Sequence, residues 1–295
     1  MSSATGRSTV FVGVDGSADG DTAIRWAARD ASMRSLPVTL IQVVAASPAN
    51  SMMGPHGTMT QRQEDQAHQI IERARRIVGE LDGQKPAEVH TEVTYAAVVS
   101  ALIDASKDAQ MVVVGSRGRG GVGRQMPGSV AWGLIKHAHC PVAVVHDPGT
   151  AQLEINHRAP VLVGIDGSPA SEAATALAFD EASRRGVPLV ALHAWRDVGV
   201  FPLLRMDWRK YRDQGQEVLG ERLAGWHEQY PEVHVRRRLV CDLPARWLLD
   251  ESTNAQLVVL GSRGRGGFPG MRLGSVTSRV VRSARVPVIV VPHCQ

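Results

Sequence analysis

Residues 112–130 read VVVGSRGRGGVGRQMPGSV, and residues 258–276 read VVLGSRGRGGFPGMRLGSV. In both, an apolar β-branched run stops at a glycine. A Gly-Ser-Arg-Gly loop follows, and nine residues later Gly-Ser opens a segment with helical spacing. A short continuous apolar run bounded by glycine is the pattern of a strand buried on both faces. A strand that leads through a glycine loop into a helix belongs to a parallel α/β sheet. Working outward, Phe11–Ser17 (FVGVDGS) matches Leu162–Ser168 (LVGIDGS), and Cys140–Val145 (CPVAVV) matches Val286–Val291 (VPVIVV). Gly13 corresponds to Gly164 and Gly115 to Gly261, so the second copy lacks five residues of the middle of the first. A period this long means two duplicated domains and excludes a solenoid.

The DPGTAQLEINHRAP stretch, Asp147–Pro160, holds Pro and Gly and little periodicity. The expected division is a first domain over 1–147, a linker over 148–159 and a second domain over 160–295. In the first half, strands are expected at Thr9–Val14, Pro37–Val44, Glu88–Thr94, Met111–Gly115 and Pro141–His146. Helices are expected at Ala23–Arg34, Thr60–Leu81, Val98–Ser106 and Ser129–His139, with Ser17 or Asp19 as the first N-cap. The second half repeats this order, with one long helix expected over Trp208–Tyr230. The fold class is α/β: two tandem doubly wound domains.

The 295 residues carry a formal net charge of +4, mostly as Arg, and 43% are hydrophobic. A mild basic excess suits an anionic small ligand and is too weak to argue for nucleic acid. Cys140, Cys241 and Cys294 lie far apart, without metal or disulfide spacing. No signal peptide or membrane span is evident, so a cytoplasmic protein is expected.

Both loops have the chemistry of a phosphate cradle. Glycines let backbone N–H groups approach an anion without an obstructing Cβ. The loop ends at a helix N-terminus, where unpaired N–H groups and the macrodipole favour negative charge. The candidates are Gly115, Ser116, Arg117, Gly118, Arg119, Gly120, Gly121, Gly128, Ser129 and Val130 in the first copy. In the second they are Gly261, Ser262, Arg263, Gly264, Arg265, Gly266, Gly267, Gly274, Ser275, Val276 and Thr277. Arg117, Arg119, Arg263 and Arg265 are placed to screen phosphates. A Cβ at Gly115 or Gly261 is expected to crowd the phosphates and leave the fold intact. Pro127, where the second copy has Leu273, removes one N–H donor from the first loop.

The G-x2-G-x9-G-[ST] pattern, with an acid after the first strand, resembles the ATP-binding class of the universal stress protein family. Both halves match, and the tandem arrangement is similar to mycobacterial members. The resemblance implies an adenine nucleotide alpha-hydrolase-like fold, five parallel strands per domain in the order 3-2-1-4-5. It implies ATP as ligand, optionally with Mg²⁺, and pairing through the last strand, hence a homodimer. It puts Asp15 and Asp166, with Gly13, Val14, Gly164 and Ile165, near base and ribose. It puts Val43 and Ala194 at the adenine edge. Asp197 follows the second strand of the second half and is a candidate partner for a ribose hydroxyl.

No Walker loop, nucleophile elbow or metalloprotease motif is present. His193, late in an apolar strand, reads as a core residue rather than a base. The pattern thus favours a nucleotide-binding regulatory protein of the stress response. The alternatives are a weak ATPase or nucleotidyl or phosphoryl transferase, and a scaffold without nucleotide.

Overall fold

The computed structural model describes residues 9–45, 58–81, 83, 86–119, 127–147, 156–195, 208–241, 243–265 and 272–293. The chain divides into two compact units, Met1–Gly149 and Thr150–Gln295. The first contains β1 (Val10–Gly13), α1 (Ala18–Arg34), β2 (Val38–Val44), α2 (Thr58–Gly79), β3 (Val89–Tyr95), α3 (Val98–Ala105), β4 (Met111–Gly115), α4 (Ser129–His137) and β5 (Val142–Val145). The second contains β6 (Val161–Ile165), α5 (Pro169–Arg185), β7 (Leu189–Trp195), α6 (Trp208–Leu223), α7 (Trp226–Gln229), β8 (Val235–Cys241), α8 (Pro244–Ser252), β9 (Leu257–Gly261), α9 (Ser275–Ser283) and β10 (Val288–Val291).

All ladders within each unit are parallel. In the first, Val12 pairs with Leu40 on one side and Val113 on the other, giving the order β3-β2-β1-β4-β5. In the second, Val163 sits between Ala191 and Val259, giving β8-β7-β6-β9-β10. Both are the 3-2-1-4-5 order. The central strands are apolar throughout because helices cover both faces; Val10, Val12, Val112, Val113, Val161 and Val163 are fully buried.

Local chemistry fixes the helix ends. Ser17 caps α1 by accepting from the Gly20 N–H, and Ser168 caps α5 by accepting from the Ser171 N–H. Asp19 is therefore inside α1, not its cap. The C-termini of these helices both end in a left-handed residue, Ser35 at φ 54° and Gly186 at φ 61°. Only the second has the glycine that this conformation favours. The helix expected over Trp208–Tyr230 is broken into α6 and α7, because Gly225 at φ +82° leaves the helical region. After the break, Trp226 and Tyr230 stack on the buried Phe179 ring at centroid distances of 5.6 and 5.7 Å.

The same ion pair ties the first two helices of each unit. Arg73 of α2 grips Asp21 of α1, with Nη2 at 2.5 Å, and Arg222 of α6 grips Glu172 of α5.

Candidate functional site

The C-terminal ends of β1 and β4 lie side by side, so the turn after Gly13 and the loop after Gly115 meet across one crevice. There the first unit opens a cavity of ≈ 420 Å³. One wall is apolar, made by Ile41 and Val43 of β2 with Val98 and Leu102 of α3. The other wall is polar, made by Asp15, Gly115, Arg117, Gly118 and the first turn of α4. The volume is within the range of about 300–1,000 Å³ usual for small-molecule pockets.

Backbone and carboxylate hydrogen bonds shape the loop. Its neck is closed by the Gly128 N–H, which donates to the Ser116 carbonyl at 2.7 Å; Gly274 donates to Ser262 at 2.8 Å in the second unit. Pro127 thus leaves the neck of the first loop unchanged. The Asp15 Oδ1 accepts from the Ser17 N–H at 3.0 Å, an Asx-type turn, while Oδ2 accepts from the Arg119 N–H at 3.2 Å. Asp166 does the same with Ser168 at 2.9 Å and Arg265 at 3.2 Å. Each aspartate therefore latches the first turn to the glycine loop. Glycine is needed opposite the latch, since a Cβ on Gly118 would lie 2.8 Å from Asp15 Oδ2, and one on Gly264 would collide with Asp166 Oδ2.

The helices after the loops begin without a side-chain cap. Gly128 and Gly274 hold the N-cap positions in extended conformation, and neither makes a side-chain hydrogen bond to the first turn. The leading N–H groups of α4 consequently border the crevice with no side-chain cap, the arrangement that receives an anion, and α9 begins in the same uncapped way.

A scan against family models matches the universal stress protein family twice, over residues 6–146 and 157–292. The chain belongs to the universal stress protein family. A universal stress protein of Mycolicibacterium smegmatis is 52% identical over 284 residues, covering 96% of both chains. One from Mycobacterium tuberculosis is 48% identical over 292 residues, covering 98% of both. Among solved structures, a universal stress protein from Archaeoglobus fulgidus superposes with a TM-score of 0.69 at 20% identity. That match covers 97% of this chain and 98% of the other.

Within this universal stress protein, the cavity brings together Gly13, Val14, Asp15, Val43, Gly115, Arg117, Gly118, Gly128, Ser129 and Val130. Several expected roles change. The Arg117 guanidinium is held by the buried Asp19, with Nη2 to Oδ1 at 2.9 Å and Nε to Oδ2 at 3.1 Å, and so is not available to screen a phosphate. Its pKa is raised, chiefly by that hydrogen bond, with burial opposing. The same Oδ2 accepts from Ser116 Oγ at 2.5 Å, which engages that hydroxyl as well. The Thr277 hydroxyl donates to the Gly261 carbonyl at 2.8 Å and is buried. Gly115 and Gly261 line up against helix backbone, not open space. A Cβ on Gly115 would lie 2.7 Å from the Asp19 carbonyl carbon, and one on Gly261 2.7 Å from that of Ala170. Their glycine identity answers a packing demand, so alanine there is expected to strain the fold rather than spare it.

His193 is buried, and its Nδ1 donates to the Ile165 carbonyl at 2.7 Å, a structural bond. Gly120, Gly121, Asp197, Gly266 and Gly267 lie outside the described residues. The apolar wall residues Ile41, Val98 and Leu102 were not expected, although Val98 and Leu102 stand four apart on one helix face, a signal the sequence carries. Among the described residues, no cluster of three or more His, Cys, Asp or Glu is placed to hold a metal ion. Among them, too, no helix is long and apolar enough to cross a membrane.

Proposed function

We propose that each unit binds one adenine nucleotide, ATP, and that the protein acts as a cytoplasmic, homodimeric, nucleotide-dependent regulator of the stress response. The observation that carries this reading is the two-faced cavity of the first unit: an apolar slot beside an array of unengaged backbone donors. Ile41, Val43, Val98 and Leu102 suit the faces of a purine. The first-turn N–H groups of α4 and the loop at Gly118 suit phosphates, worth roughly 0.3–1 kcal/mol per helix end and up to about 2 when partly buried. Asp15 borders the space between them, where a ribose would lie. The equivalent loop, latch and uncapped helix of the second unit support a second site built from Gly164, Asp166, Gly264, Gly274, Ser275 and Val276.

The reading is one of binding rather than turnover. The charged side chains that border the first cavity, Asp15 and Arg117, are already engaged in hydrogen bonds that hold the loop. Nucleotide would then act by favouring one conformation over another through differential affinity. Dimerisation of whole chains forms the second part of the proposal. A monomer in light scattering at micromolar concentration would remove that part.

The decisive experiment is to denature freshly purified protein and quantify the released nucleotide by chromatography. Two adenine nucleotides per chain are expected. None, even after incubation with ATP and Mg²⁺, would overturn the reading and leave a scaffold.

A further inference from the structure

The two loop arginines at equivalent positions, Arg117 and Arg263, stand in opposite electrostatic surroundings. Arg117 is clamped: its side chain and its backbone N–H all donate to the carboxylate of Asp19, whose side chain is 6% exposed. A second carboxylate, Asp147 just past β5, adds its field to the same guanidinium. For Arg117 to turn towards a ligand it would have to strand a buried carboxylate, which is among the costlier events in a folded protein.

In the second unit both carboxylates are gone. Ala170 stands where the first unit has Asp19. The packing confirms the match, since the Cβ that Gly115 lacks would meet Asp19 and the one that Gly261 lacks would meet Ala170. His293 stands where the first unit has Asp147, and its N–H donates to Ser262 Oγ at 3.1 Å. The Arg263 carbonyl accepts from Ser168 Oγ at 3.1 Å, which fixes the loop backbone. Its guanidinium has no acceptor among the described residues. The loop geometry is therefore shared, while one arginine is neutralised and the other keeps its charge and its fork of donors.

We infer that Arg263 selects for polyphosphate in the second unit, so that this site distinguishes ATP from AMP by charge more sharply than the first, whose equivalent arginine is clamped. The inference rests on the reading that both units bind adenine nucleotide. It makes the duplicated sites unequal: the second responds more strongly than the first to the phosphorylation state of the adenylate pool. Because Arg263 is partly exposed, the selectivity is screened by salt.

The test is calorimetric titration of the full-length protein with ATP and with AMP, at low and high salt. Arg263→Gln is expected to weaken ATP at one of the two sites about tenfold, with AMP changed by less than about twofold. Ala170→Asp, which copies the clamp of the first unit onto the second, should produce the same loss without touching the arginine. Arg263→Lys keeps the charge and should retain most of the discrimination. In each weakened variant the salt-sensitive part of ATP binding is the part that disappears. An ATP-to-AMP ratio in Arg263→Gln or Ala170→Asp equal to that of the parent protein, with binding intact, overturns this inference alone. Absence of binding of either nucleotide to the parent protein overturns the underlying reading and the inference with it.

Discussion

Replacing Gly115 by alanine tests whether the loop glycines are there for the ligand or for the fold. Gly115 does not occupy the left-handed region, so alanine meets no backbone strain there. The cost is steric. The new Cβ would lie 2.7 Å from the Asp19 carbonyl carbon, 2.8 Å from the Gly20 nitrogen and 2.9 Å from the Asp19 Cβ. These are atoms of the first turn of α1 and cannot rotate away like a side-chain tip. Overpacking of this kind costs about 1–3 kcal/mol, and immovable backbone puts this case at the upper end. The shift also displaces Asp19, whose carboxylate holds Ser116 and Arg117. Alanine returns roughly 0.4–1 kcal/mol by restricting the unfolded chain, so the net loss should be about 2 kcal/mol. Urea denaturation followed by circular dichroism measures it. Gly128→Ala is the steric control, because its Cβ would have no neighbour nearer than 3.7 Å; it should cost no more than about 1 kcal/mol, the loss of a glycine N-cap. Gly261→Ala repeats the test in the second unit against the Ala170 backbone. A Gly115→Ala protein as stable as its parent would refute the packing argument and return the glycine to the phosphates.

Ser35→Gly should stabilise the first unit by roughly 0.5–1 kcal/mol in the same assay, since a left-handed serine is strained and the equivalent position carries Gly186. A double-mutant cycle on Asp21 and Arg73 should return a small favourable coupling, small because the arginine side chain is 58% exposed and screened by solvent. A coupling indistinguishable from zero would mean that the pair does not tie α1 to α2. The Asp104 carboxyl is held below its ordinary pKa, chiefly by the hydrogen bond from Lys107. A group with a depressed folded pKa contributes stability above its unfolded pKa and loses it as pH falls through the folded one. Lys107→Met should therefore raise the Asp104 titration midpoint seen by NMR, and reduce stability near neutrality but not in strong acid.

The sheet and the crevice were legible because they rest on patterns that repeat. Val112–Gly115 and Val258–Gly261 are apolar on both faces, and their alternation with helical segments makes a covered parallel sheet the arrangement that accommodates them. The glycine loops and the Asp-Gly-Ser turns end neighbouring strands, so the crevice followed from connectivity. Asp19 was not legible. In sequence it is one more polar residue near a helix start, equal to Ser17 as a cap. Its burial and its grip on Arg117, ninety-eight residues away, emerge only when β4 packs on α1. The break at Gly225 was hidden for a similar reason. A single glycine is tolerated inside a helical pattern, and it is the stacking of Trp226 and Tyr230 on Phe179 that rewards leaving the helix there.

The two copies separate what the loop needs from what it can vary. Retained in both are the glycines where a Cβ would strike helix backbone or a latch carboxylate, the latch aspartates Asp15 and Asp166, and the cap serines Ser17 and Ser168. These residues set where backbone donors point, and altering any of them would deform the crevice. Changed between copies are Asp19 to Ala170, Asp147 to His293 and Ala131 to Thr277. These alter charge and hydroxyl content around the same backbone, and the neck hydrogen bond is kept in both copies, at 2.7 and 2.8 Å. Shape and charge are thus carried by different residues in this fold. A duplicated domain can keep one cradle and retune what it prefers to hold, because the charged positions lie behind the loop, against the first helix, rather than in the loop's own turn.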